Sequence, residues 1–213
     1  MAQTNRLLHS YLGLLRFNHP TTSLPSVLKS LKRLRTRATH FDGVIEGYKE
    51  KIEHNIPFES EIKTVKDTLT SHEPEELPPY PSLNFPPSNL TFLPPHLLHY
   101  SSNSKLSPHV DSVRFSGPSV SVLTLSGSCT LRLTVAPPEE VDFALTPGNV
   151  TPAHLETLRE ILREREGGAV EVDVQAGEGY VLTGVSRYLM EHAVSGVGER
   201  VAVVFRDELT NDF

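Results

Sequence analysis

The sequence predicts an α+β fold, in which an antiparallel β-sandwich or jelly roll packs against helices from the first third of the chain. From residue 97 onward, short segments rich in β-branched residues alternate with turns such as Ser116-Gly117-Pro118 and Ala176-Gly177-Glu178-Gly179. Apolar residues at helical spacing precede these segments. The chain has 213 residues, of which 38% are hydrophobic, so it is long enough to bury the core of one such domain.

Three segments in the first third of the chain have apolar residues at helical or near-helical spacing. The first runs from 22 to 37 and begins near Pro25, a residue favoured in the first turn of a helix. The second covers 41–52, and the third runs from Glu59 to Ser71. Their apolar positions are Val27, Leu28, Leu31 and Leu34; Phe41, Val44, Ile45, Tyr48 and Ile52; and Ile62, Val65 and Leu69. We therefore expect three N-terminal helices that cover the sheet.

The stretch from Glu73 to Pro95 contains eight prolines, a density that excludes a helix or a central strand. We expect a long surface loop that crosses toward the functional site. Because Tyr80, Phe85 and Phe92 lie among the prolines, the loop could act as a substrate lid. The alternative is that these aromatic rings fix an extended segment to the core.

Strand patterns fill the chain from residue 97 onward, with one helix inserted among them. The expected strands are Leu97–Tyr100, Val113–Phe115, Val120–Leu125, Thr130–Val135, Glu171–Val174, Tyr180–Leu182 and Val201–Phe205. The inserted helix covers 151–166, because Leu155, Leu158 and Leu162 repeat at helical spacing and Gly167-Gly168 follows as a stop signal.

Composition excludes several classes of protein. Cys129 is the only cysteine, and no apolar run approaches the roughly 20 residues of a membrane span, so disulfide scaffolds, zinc ribbons and transmembrane helices are not expected. Seven of the 20 basic residues but none of the 26 acidic residues lie in 1–41, which leaves an acidic body that disfavours nucleic acid. We expect residues 1–25 to be a targeting or flexible segment and 26–213 a single domain. A mitochondrial matrix location is predicted, with the cytoplasm or nucleus as the alternative.

A candidate metal site lies at His109 and Asp111. Side chains two residues apart on a strand point to the same side, so this ring and this carboxylate could reach one ion. A third ligand must come from elsewhere in the chain, and His192 is the candidate. Two histidines and one carboxylate on one face of an octahedral ion leave three positions open, as in non-haem Fe(II) oxygenases.

Two arginines are expected on one face of the last strand. Arg200 and Arg206 are six residues apart, an even number, with Ala202 and Val204 between them on the same face. Guanidinium groups bind carboxylates through paired hydrogen bonds and remain charged, so this face suits the capture of a dicarboxylic acid. Six residues of extended strand span about 20 Å, however, so only converging side chains could bring both arginines to one small molecule.

These features share their order and spacing with a known family. Residues 105–112, the Arg187-Tyr188 pair ahead of His192, and the Arg-x5-Arg strand that ends at Arg206 together resemble the AlkB family of Fe(II)- and 2-oxoglutarate-dependent dioxygenases. The resemblance covers roughly residues 30–206. It is greatest to the mitochondrial member of the family, through residues 40–48, 108–115 and 179–182.

The resemblance implies a fold, a cofactor and a set of site residues. The fold is a double-stranded β-helix, a variant of the jelly roll. Fe(II) is the implied metal, 2-oxoglutarate the co-substrate, and molecular oxygen the second reactant. By the same resemblance, His109, Asp111 and His192 hold the iron, and the residues in contact with 2-oxoglutarate are Tyr180, Arg200, Arg206 and, by position, Tyr100.

Three functions are open on the sequence alone. The favoured one is a dioxygenase that hydroxylates or demethylates a protein or a small molecule. The second is an oxidative demethylase of RNA or DNA bases, which is less favoured because Ala202 and Val204 replace the polar residues of such enzymes and the Pro-rich stretch opens with acidic residues. The third is a non-catalytic jelly-roll binding module. A serine hydrolase is not indicated, because the sequence has no Gly-x-Ser-x-Gly elbow.

Overall fold

Two antiparallel sheets form the framework of the protein. A computed structural model describes residues 8–39, 44–72, 83, 90–102, 104–196 and 198–208. Within these residues, eleven strands divide into a seven-stranded and a four-stranded sheet. Apolar side chains from both sheets meet in one buried cluster, so the predicted α+β jelly-roll class, with the double-stranded β-helix arrangement, is confirmed.

The large sheet contains the strands at both ends of the described chain. Its strands are β1 (Leu14–Asn18), β2 (Arg37–Thr39), β3 (Glu46–Ile52), β4 (His96–Tyr100), β6 (Ser119–Ser126), β9 (Glu178–Thr183) and β11 (Arg200–Arg206). The small sheet has β5 (Leu106–His109), β7 (Ser128–Val135), β8 (Val170–Gln175) and β10 (Met190–Ser195). The strand orders are β1-β9-β6-β11-β4-β3-β2 and β5-β10-β7-β8.

Helices pack against this sandwich. Residues 8–12 are helical, and the helices after β1 are α1 (Leu24–Leu31), α2 (Glu59–Thr70), α3 (Pro152–Glu166) and α4 (Gly184–Tyr188). Helices α1 and α2 pack on the outer face of the large sheet, where Val27 and Val65 join Val203 in a second apolar cluster. Helix α3 is the predicted inserted helix, and Gly167 ends it in the left-handed conformation with φ 64°. It buries Leu158 completely.

The N-terminal part of the chain differs from the helical cover that the sequence predicts. The predicted helix over 41–52 is wrong, because residues 46–52 form β3, which pairs with β2 and β4. Apolar residues at 44, 48 and 52 are four apart, a spacing that places them on one side of a strand as well as of a helix. The first helix ends at Leu31, six residues before β2. The third helix is confirmed.

Most of the predicted strands after residue 96 are confirmed within one or two residues at each end. Val113–Phe115 is the exception, because these residues form a turn rather than a strand. Strands β5 and β10 were not predicted, although both contribute to the candidate site. Pro108 interrupts the strand pattern of β5, and β5 tolerates a proline because it lies at the edge of the small sheet.

Two further predictions concern the N-terminus and the Pro-rich loop. Strand β1 lies inside the segment 1–25 and pairs along its length with β9, while the division into segment and domain stays a prediction. Most of the predicted loop over 73–95 lies outside the described residues, as do Tyr80 and Phe85. Among the residues that the structure describes, no helix is long and apolar enough to cross a membrane.

Candidate metal centre

The three predicted metal ligands lie together between strands β5 and β10. His109 is the last residue of β5 and lies directly opposite His192 of β10 in the antiparallel register. Their ring centroids are 4.2 Å apart. Asp111 follows two residues after the end of β5, and one ligand atom from each of the three residues lies within 4.8 Å of the others. Strand pairing therefore assembles the two-histidine, one-carboxylate group that the sequence predicts.

The two ring nitrogens of His109 have different neighbours. Its Nδ1 lies 2.9 Å from the carbonyl oxygen of Ser107, an acceptor to which only an N–H can donate. Its Nε2 faces Asp111 Oδ1 at 3.7 Å. A backbone acceptor that fixes the tautomer of a histidine is the usual outer-shell arrangement at protein metal sites.

Both of the other ligands have pKa values that favour their metal-binding forms. Burial, and then the neighbouring His109, lowers the pKa of His192 to about 3, so its imidazole is neutral at ordinary pH. Burial by itself raises the pKa of the Asp111 carboxyl. The nearby Arg206 and His109 act in the opposite direction, and the resulting pKa lies well below its usual value. Arg206 Nη2 is 3.7 Å from Asp111 Oδ1. A neutral imidazole and an ionised carboxylate are the forms that bind a cation.

A buried polar pocket adjoins this group on the inner face of the large sheet. Arg200 is 4% exposed and its guanidinium lies over the Tyr100 ring, 4.2 Å from the ring centroid. Arg200 Nη1 donates to Cys129 Sγ at 3.1 Å. Tyr180 is 2% exposed; burial raises the pKa of its hydroxyl above the ordinary range, and the Arg200 charge opposes this shift. The pocket thus holds a buried cation beside two neutral phenols.

The two arginines share the inner face of β11, as predicted, but have different surroundings. Ala202 and Val204, which lie between the two arginines, belong to the inner apolar cluster. The other residues between the arginines belong to the outer cluster. Arg206 approaches the predicted metal ligand Asp111, whereas Arg200 lies with Tyr100 and Cys129. Both charges lower the pKa of the Tyr100 hydroxyl against the larger raising effect of its burial. Both guanidinium charges therefore act on one phenol, and only Arg200 lies against its ring.

An unpaired polar atom lies beside the predicted metal ligands. Arg206 Nη1 is buried and has no hydrogen-bond partner among the residues that the structure describes. Buried polar groups are almost always paired, so an unpaired guanidinium nitrogen beside a metal-type group indicates an anionic ligand. Two imidazoles and one carboxylate, with an acid-binding pocket alongside, fit Fe(II) and a 2-oxo dicarboxylic acid. The individual residue roles stay predictions.

Two residues of the site were not assigned roles from the sequence. In the sequence, Cys129 is an ordinary residue of a predicted strand. Its contact with Arg200 depends on how β7 faces β11. Arg187 contributes to the family resemblance, but the acceptors of its buried guanidinium lie about 70 residues earlier in the chain. Contacts at such sequence separations leave no local pattern. The one signal in the sequence was the position of this arginine, five residues before the predicted metal ligand His192.

Several solved structures share this fold. The chain aligns with a structure of OsALKBH1 over 91% of its length and 97% of that chain, with a TM-score of 0.54 and 17% identity. It also aligns with HygX from Streptomyces hygroscopicus, a structure with nickel and 2-oxoglutarate bound, over 99% of its length and 88% of that chain, with a TM-score of 0.52 and 16% identity. These structures establish the shared fold.

Comparison of amino-acid sequences identifies relatives of the chain. No family model matches the chain. The mitochondrial alpha-ketoglutarate-dependent dioxygenase alkB homolog 7 is 27% identical over 142 residues in both Mus musculus and Bos taurus, which is 64% of this chain and 58% of each relative. The chain thus spans less than two thirds of the length of these relatives. The predicted likeness to AlkB-type dioxygenases is confirmed.

Proposed function

We propose that the protein is an Fe(II)- and 2-oxoglutarate-dependent dioxygenase. The observation that supports this most directly is the His109, Asp111 and His192 group, whose ligand atoms lie within 4.8 Å of one another. The adjoining pocket with Arg200 and Arg206 adds the acid-binding groups that such an enzyme needs. Similarity to AlkB-type dioxygenases supports the same conclusion.

The residues of the site prepare the metal position and its surroundings. Bound Fe(II) supplies the redox chemistry that couples oxidative decarboxylation of 2-oxoglutarate to oxidation of the substrate. His109 and His192 lie opposite each other on paired strands, which brings their rings together. Arg206 keeps Asp111 ionised and has one Nη atom free for an anion. Buried apolar residues such as Val194 and Leu131 exclude water from the neighbourhood.

The co-substrate is expected to lie along β11, between the two arginines. Arg200, with the Tyr100 and Tyr180 hydroxyls, binds the carboxylate remote from the metal, because this end is buried and already holds a cation. Arg206 and the metal position receive the 2-oxo acid end. This arrangement makes Arg200 an affinity determinant for the acid alone, whereas Arg206 acts on both the acid and the metal ligand.

A protein or small-molecule substrate is favoured over a nucleobase. Glu191 lies close enough to His109, Glu139 and Glu140 for their charges to act on it, and burial followed by Glu140 raises the pKa of its carboxyl. This negative charge in the neighbourhood of His109 disfavours a phosphate backbone. The second candidate, a nucleobase demethylase, is favoured by the similarity to AlkB-type proteins. Micromolar RNA binding with steep salt dependence would support that candidate instead.

An anaerobic spectroscopic titration tests the proposed function. Fe(II) and then 2-oxoglutarate are added to the wild-type protein and to His192→Ala, and the visible charge-transfer absorption of the chelated acid is recorded. We expect the absorption in the wild type and its loss in the variant. A wild type without this absorption, indistinguishable from His192→Ala, would identify the protein as a non-catalytic binding module instead.

The substrate and the location require separate measurements. Substrates are sought by untargeted mass spectrometry of material oxidised by the wild type and not by Asp111→Ala, with succinate release as the common readout. The mitochondrial location is proposed from the acid-free N-terminal residues and from the mitochondrial relatives. Imaging of the tagged full chain tests it, and a diffuse cytoplasmic signal would contradict it.

A further inference from the structure

Arg187 is the largest of the fully buried side chains, with 2% of its surface exposed. It lies in α4, the short helix between β9 and β10, five residues before His192. Burying a guanidinium is costly unless its N–H groups find acceptors. The acceptors of Arg187 all lie in one loop, residues 111–117, which joins β5 to β6.

Each arm of the guanidinium donates to a different part of that loop. Nη1 donates to the carbonyl oxygen of Asp111 at 2.6 Å. Nη2 donates to Ser116 Oγ at 3.0 Å, with longer contacts of 3.4 Å to the carbonyl oxygens of Ser112 and Ser116. Nε donates to the carbonyl oxygen of Gly117 at 3.3 Å. One side chain therefore holds both ends of the loop.

The geometry requires an arginine rather than another cation. A guanidinium presents five N–H donors in a planar fork, whereas an ammonium group presents three donors from one nitrogen on a flexible stem. Only the fork can donate in several directions at once without moving. A lysine at position 187 would keep the positive charge near Asp111 but would lose the simultaneous contacts to both ends of the loop.

We propose that Arg187 is a positioning residue that fixes the metal ligand Asp111 relative to His192. Its shortest hydrogen bond is to the backbone of Asp111 itself, and its own backbone leads within five residues to His192. Two ligands from separate segments are thus joined through one guanidinium, a link that does not depend on the pairing of β5 with β10. The inference rests on the proposed function only for the identity of the metal.

Two measurements on Arg187→Lys test the proposal. Co(II) affinity is measured by calorimetry, and hydrogen exchange of the amides in 111–117 is measured by mass spectrometry on the metal-free protein. Arg159→Lys is the matched control, since Arg159 Nη2 also donates to a backbone carbonyl, that of Ala136 at 2.8 Å, away from the loop. Thermal unfolding shows which variants are folded.

We expect folded Arg187→Lys to bind Co(II) about 10–100-fold more weakly, as for other lost outer-shell contacts, with faster exchange confined to the loop. Arg159→Lys should match the wild type in both. Wild-type affinity in folded Arg187→Lys would overturn the proposal, whether or not exchange changes, because the residue would then be structural only.

A milder variant decides the matter where Arg187→Lys does not fold. Ser116→Ala removes one acceptor of the guanidinium and leaves its charge in place, so we expect about two- to fivefold weaker Co(II) binding and faster loop exchange. No change in either would overturn the proposal. Failure of the wild type to bind Co(II) would refute the proposed function as well, whereas wild-type binding with unaffected variants would refute only the role of Arg187.

Discussion

Replacing Arg200 by glutamine should weaken 2-oxoglutarate binding and leave metal binding intact. Arg200 contacts Tyr100 and Cys129, whereas the predicted metal ligand Asp111 has Arg206 beside it. A hydrogen bond to a charged partner contributes about 1.5–3 kcal/mol, and 1.4 kcal/mol is a factor of ten, so one lost contact predicts about a 10- to 150-fold higher Kd for the acid. Co(II) affinity should stay within about twofold of the wild type, because no ligand loses a neighbour.

The assay is an anaerobic titration of 2-oxoglutarate into the Fe(II) protein, followed by its charge-transfer absorption. Arg132→Gln serves as control, because Arg132 is an exposed β7 residue paired with Glu171. Arg206→Gln should weaken both the acid and the metal, since Arg206 lies 3.7 Å from Asp111. A titration of Arg200→Gln that matches the wild type, or a loss of metal affinity in that variant, would refute the separate roles of the two arginines.

Three further predictions follow from the same surroundings. Cys129→Ala removes the acceptor 3.1 Å from Arg200 Nη1 and should raise the KM for 2-oxoglutarate about two- to fivefold with kcat unchanged in steady-state assays; a fall in kcat alone would contradict this. Burial raises the pKa of Asp207 to about 6, so the folded state binds the proton of this carboxyl more tightly than the unfolded state does. The stability that the bound proton contributes is lost as the pH rises from about 4 to about 6. Asp207→Asn should therefore gain stability relative to the wild type over that window, by at most about 3 kcal/mol in urea unfolding, and a constant difference would disprove it. Gly13→Ala should lower Tm, because φ is 71° and the new Cβ would lie 2.2 Å from the Thr183 carbonyl oxygen; an unchanged melting curve would contradict this.

Two of the three predicted metal ligands have a local signal in the sequence. His109 and Asp111 are two residues apart, although only His109 lies on β5 and Asp111 follows the end of that strand. The strands after residue 96 were predictable where β-branched residues cluster, as in β6 and β7. Strand β10 was missed, because its central Glu191 and His192 resemble neither a buried run nor an alternating one.

The errors in the N-terminal part have a different physical origin. Apolar residues at 44, 48 and 52 satisfy a helix and a strand equally, and the choice is made by pairing with β4, which lies almost 50 residues later in the chain. Tyr48 is fully buried opposite Tyr100 in that pairing. The burial available in the sheet overrides a local pattern that suits both structures. No window of sequence around Tyr48 contains this information.

The sequence could predict that Arg200 and Arg206 share a face only because the bulge between β11 and β6 lies in β6. Between Val201 and Ala202, the partners on β6 change from Ser126 to Thr124, so the extra residue belongs to β6. The register of β11 with β4 is unbroken through this point. An extra residue in β11 would have turned one arginine to the outer face, because the side-chain period of a strand is two. The even spacing of the two arginines therefore places them on one face only because of the position of this bulge.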